Sequence, residues 1–82
     1  MEKLFDISDI SFSDEFLIIK INNQEYKFAI KEISEKLSKV DIIERQKFVV
    51  SPSGYGIHWP TLDEDLSING LLHYLKSNRH VA

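Results

Sequence analysis

With 82 residues, the chain has room for one domain with little interior. It contains no cysteine, which excludes disulfides, thiolate catalysis and cysteine-based zinc or iron–sulfur sites. A formal charge of -3, with 43% hydrophobic and 28% charged residues, fits a globular protein and argues against a nucleic-acid binder, whose phosphate contacts need a net basic face.

Residues 4–12 should form the first strand. Phe5 and Ile7 share one parity and Ile10 and Phe12 the other, so a bulge near Ser8 and Asp9 is needed to reconcile them. Phe16 to Ile21 is apolar on both parities apart from Lys20, which predicts an interior strand covered on both faces. Asn22 and Asn23 make a two-residue turn, because Asn tolerates positive φ. Gln24 to Ile30 then alternates, with Tyr26, Phe28 and Ile30 on one side.

A helix is predicted over Lys31 to Val40, where Ile30, Ile33, Leu37 and Val40 form an apolar stripe. The pairs Glu32–Lys36 and Glu35–Lys39 contribute only about 0.2–0.5 kcal/mol each, so burial of the stripe decides whether it forms. Arg45 to Val50 alternates as a strand, Ser51 to Gly54 reads as a turn, and Gly56 to Trp59 returns until Pro60 stops the ladder. Ser67 is the expected N-cap of a last helix over Ile68 to Ser77, with Leu66 and Leu71 as a hydrophobic staple. Its buried face is Ile68, Leu71, Leu72 and Leu75, and Asn78 to Ala82 is expected to fray. The order β-β-β-α-β-β-α describes one α+β domain spanning 1–82, ordered from about 4 to 77: an antiparallel sheet of about five strands with two short helices.

No apolar run approaches the roughly 20 residues of a membrane span. The acidic opening MEKLFDISD lacks a signal-peptide core, so cytoplasmic residence is the expectation.

Catalytic motifs are absent. Three histidines are present, but His80 lies in the tail, His73 falls off the apolar stripe of the last helix, and His58 faces away from Ile57 and Trp59. His58 with Asp63 and Asp65 offers imidazole and carboxylate ligands within eight residues, yet the spacing matches no metal-binding loop. Neither a metal nor another cofactor is expected. Trp59 reads as a core anchor, the alternative being an interface anchor. Asp63, Glu64 and Asp65 stand ahead of a helix N-terminus, where the macrodipole favours negative charge by about 0.3–1 kcal/mol per group. Three in succession, after an outward-looking Leu62, exceed what a cap requires and suggest contact with a basic partner.

The stretch GYGIHWPTLDEDLSINGLL, residues 54–72, resembles the signature end of a bacterial family of small proteins, the Domain of Unknown Function 2442 family. ISDISFSDEFLIIKINNQEYKFAI and ERQKFVVSPSG are similar to its opening strands and its Glu-Arg with a following aromatic strand. Asn22-Asn23 replaces a common Asp-Gly turn, and the prolines many members carry near the first helix are missing. The helix-turn-helix domain of some members has no counterpart here, so DNA binding is not implied. The resemblance implies a partner-binding, antitoxin-like component, because members are often encoded beside a second small protein.

These readings converge on a small interaction domain that is not an enzyme. Its partner would be a small basic protein, met by Asp63, Glu64 and Asp65, with Leu62, His58 and Arg45 as neighbours. The competing reading is a small ligand- or metal-binding domain or an enzyme using His58 and nearby carboxylates. A homodimer paired through an exposed strand edge is the third.

Overall fold

Two three-stranded antiparallel sheets, with three one-turn helices between them and one longer helix after them, make up the described residues 4–79 of a computed structural model. The first sheet is β1 (Ile7–Phe12), β2 (Phe16–Ile21) and β3 (Gln24–Ala29), in that order. The second is β4 (Val49–Val50), β5 (Gly56–Trp59) and β6 (Glu64–Ser67), also in chain order. The architecture is α+β as expected, but the single five-strand sheet is replaced by two sheets and a sixth strand. Among the described residues, no helix is long and apolar enough to cross a membrane.

The bulge falls where the parity change requires it. The β1–β2 register shifts between Ser8 and Ser11, and Asp9 takes a φ of 49°. Leu17, Ile19 and Ile21 of β2 are buried on one face, while Phe16, Ile18 and Lys20 are half-buried on the other. Asn22 and Asn23 close the β2–β3 hairpin at φ 51° and 68°, the positive values that a tight two-residue turn demands.

The predicted helix over Lys31 to Val40 is broken. Ser34, extended at φ -159°, ends α1 (Ile30–Ile33) and caps α2 (Glu35–Ser38), accepting the Leu37 N–H on its hydroxyl at 3.2 Å. Asp41 caps α3 (Ile42–Arg45) in the same way, through the Glu44 N–H at 3.0 Å. Ser and Asp favour capping over helix interiors because their side chains compete for main-chain N–H groups. The stripe still reaches inward, with Ile30 and Leu37 buried and Ile33 and Val40 half-buried. Arg45 ends α3 instead of opening a strand, which shortens β4 to two residues.

The core joins both sheets and the helices: Leu17, Ile19, Ile21, Phe28, Ile30, Leu37, Ile57, Trp59, Ile68 and Leu71 are buried together. Burial of each such side chain contributes about 1.5–3 kcal/mol. Phe12, Phe48 and Trp59 cluster with ring centroids 6.1 to 6.3 Å apart, within the favourable range for tilted aromatic pairs. Ser67 caps α4 (Ile68–Arg79) by accepting the Gly70 N–H at 2.9 Å. This helix runs two residues past its expected end, and the tail at 80–82, with His80, lies outside the described residues.

Candidate functional site

The passage from Trp59 to Ser67 is a β-hairpin, not a run-up to a helix. Trp59 pairs with Glu64 around a four-residue loop, with the Leu62 N–H donated to the Trp59 carbonyl at 3.1 Å. Asp63 completes the loop at φ 51°, a left-handed conformation that Asp adopts more readily than most residues. Strand alternation then separates the three acids. Glu64 and Leu66 turn toward the protein and are half-buried; Asp65 and Ser67 turn outward.

Glu64 is therefore a structural acid. Its Oε2 accepts the hydroxyl of buried Ser34 at 2.5 Å, and its Oε1 accepts the Asp65 N–H at 3.1 Å. Lys36, two residues further along, donates its ammonium to the Leu62 and Asp63 carbonyls at 3.3 and 3.0 Å. The start of α2 thus holds the hairpin at two points. Asp63, at the tip, is exposed.

Asp65 lies directly opposite His58, with Oδ1 2.7 Å from His58 Nδ1. Its side chain is 75% exposed, so the pair stabilises the fold by no more than about 1 kcal/mol. His58 faces away from buried Ile57 and Trp59, as alternation predicts. Val49 is its partner on the other side, giving a row Val49–His58–Asp65 across the outer face of the second sheet. With Tyr55, Ser51 and Ser67 this row lines a shallow depression of about 440 Å³.

That depression contains two serines, a histidine and an aspartate without the contacts that nucleophilic catalysis needs. Ser51 Oγ accepts the Tyr55 and Gly56 N–H groups at 2.9 and 3.1 Å, and Ser67 Oγ caps α4. Among the described residues, neither hydroxyl is hydrogen-bonded to His58, whereas an activated nucleophile requires that contact. No group of three His, Cys, Asp or Glu side chains suited to a metal ion occurs among the described residues.

Of the six residues expected at the partner surface, His58, Leu62, Asp63, Glu64 and Asp65 share this hairpin. Leu62 is half-buried against the core instead of exposed. Arg45 does not join them at the surface. It is 6% exposed, donating Nε–H to the Leu37 carbonyl and Nη1–H groups to the Ser13 and Asp14 carbonyls, each at 2.9 Å. Its own carbonyl accepts the Trp59 indole N–H at 2.7 Å. Two residues missed in the sequence are Val49 and Tyr55, large, apolar-bodied and more than half exposed. The outward parity of Val49, opposite Phe48 and Val50, was the available signal. Nearby, Glu44 lies 2.6 Å from Lys47, and this hydrogen bond, reinforced by charge attraction, raises the Lys47 ammonium above its ordinary pKa of 10.5.

The profile of a family described as "Protein of unknown function (DUF2442)" matches residues 7–77. The fold is similar to the crystal structure of a protein of unknown function from Rhodospirillum rubrum ATCC 11170, with a TM-score of 0.69 and 23% identity, covering 85% of this chain and 87% of that one. At that identity the likeness concerns the fold alone. No curated protein matches the chain.

Proposed function

This chain belongs to the DUF2442 family of proteins of unknown function, and from that premise we propose that it is a non-catalytic, cytoplasmic protein-interaction domain. Its partner is a small basic protein, docked on the β5–β6 hairpin and the outer face of the second sheet. The observation that carries this reading is the separation of the acidic triplet: Glu64 is held by Ser34, while Asp63 and Asp65 present their carboxylates outward. Beside Asp65 stand the exposed apolar bodies of Val49 and Tyr55, so charge and apolar area adjoin on one surface. The net charge of -3 favours encounter with a basic surface. The family resemblance adds an antitoxin-like role in which the bound partner is neutralised.

The experiment is affinity capture from the host, then reconstitution with the purified captured protein. The informative variant is D63N/D65N: Asn keeps the shape of Asp and tolerates the left-handed φ at position 63. Lost affinity with an intact fold supports the reading; unchanged affinity rejects it.

A further inference from the structure

Among the described residues, Arg45 is a buried cation without a counter-ion. Its three hydrogen bonds go to neutral main-chain carbonyls, through Nε and Nη1. No carboxylate forms an ion pair with it among the described residues. A guanidinium removed from water in this way retains an unmet demand for negative charge.

One edge of that guanidinium remains available. Among the described residues, Nη2 makes no hydrogen bond, yet no side-chain nitrogen or oxygen there that is fully cut off from solvent lacks a partner. Nη2 therefore keeps access to solvent, and Arg45 lines a groove of about 760 Å³ between the β1–β2 turn and the helices α1 and α2. That size falls within the roughly 300–1,000 Å³ of small-molecule sites. The groove is separate from the outer face of the second sheet and shares none of its lining residues.

The rim has the opposite character. Asp14, Glu15 and Glu32 are exposed there, and none has an ion pair among the described residues. Glu35 and Lys39 neutralise each other at 3.2 Å, which leaves Lys31 as the one rim cation without such a partner among the described residues. A bare anion is repelled by these acids on its way in. A bare cation can meet the rim acids but leaves the charge of Arg45 uncompensated. We propose that the groove binds an amphoteric small molecule of the amino-acid class, its carboxylate on Arg45 Nη2 and its ammonium among Asp14, Glu15 and Glu32.

The test is a titration of the full, isotope-labelled chain followed by NMR, observing the Arg45 Nε–H and the amides of residues 14–16 and 31–39. The probes are glycine, β-alanine and 4-aminobutyrate, with acetate and methylammonium as single-charge controls. At least one amino acid should shift these signals saturably and bind about tenfold more tightly than acetate, the gain expected from one added charge-assisted contact. The exposed-site variant D14N/E32Q should remove most of that preference without loss of fold. No saturable shift at Arg45, acetate binding as tightly as the best amino acid, or an undiminished preference in D14N/E32Q would each overturn the proposal.

Discussion

Ser34 and Glu64, thirty residues apart, are joined by a hydrogen bond of 2.5 Å that makes one acid of a consecutive triplet part of the fold. The same hydroxyl accepts the Leu37 N–H, so Ser34 both starts α2 and anchors the β5–β6 hairpin. Ser34→Ala removes an N-cap and leaves the Glu64 carboxylate without its donor. A loss of about 2–3 kcal/mol is expected. Glu64→Ala should cost roughly 1–2 kcal/mol, because a hydrogen bond to an ionised group is stronger than a neutral one. Urea unfolding with an unchanged slope measures both. In the double variant the losses should fall short of their sum, because the two residues share one contact.

Trp59 and Arg45 form the second long-range connection, and both are buried. Trp59→Phe keeps an aromatic ring but strands the Arg45 carbonyl and leaves a void, at a cost of about 2–3 kcal/mol. Arg45→Met removes the donors from three carbonyls contributed by the β1–β2 turn and α2. A loss of roughly 3–5 kcal/mol is expected, a large fraction of the stability of a domain this small. Urea unfolding followed by far-UV circular dichroism checks both losses, and in R45M the emission of Trp59 should shift to the red at a lower urea concentration than in the wild-type chain.

Gly54 is the glycine whose missing side chain matters most. Its φ is 73°, and a Cβ would sit 2.0 Å from the Phe5 carbonyl oxygen, where main chain has little freedom to move. Gly54→Ala should cost roughly 2–4 kcal/mol from the left-handed backbone and the clash together. A thermal melt should register this as a fall of at least about 8 °C.

The parts of the fold governed by local pattern could be read from the chain. The β2–β3 hairpin followed from alternation and an Asn-Asn turn, and the β1 bulge from a parity change that no regular strand accommodates. Ser67 capped the last helix as its neighbours implied. The broken helix was less visible, because Ile30, Ile33, Leu37 and Val40 keep helical spacing even though Ser34 interrupts the backbone. Arg45 misled for a physical reason: arginine is rarely buried, and only the convergence of three distant carbonyls makes its burial stable.

At the candidate site, the composition was legible and the partition was not. Asp63, Glu64 and Asp65 resemble the acidic approach to a helix, and strand β6 contains no β-branched or aromatic residue to announce itself. What assigns it is pairing with Gly56–Trp59, a tertiary fact. Once the strand exists, alternation turns Glu64 inward to Ser34 and leaves Asp65 beside His58 on the outer face.

The direct test of this partition is the calorimetric affinity of the purified captured partner for the wild-type chain and for D63N/D65N. Removing both exposed charges should weaken binding by about tenfold or more while lowering the unfolding free energy by no more than about 1 kcal/mol. Equal affinities for the two proteins would contradict the account.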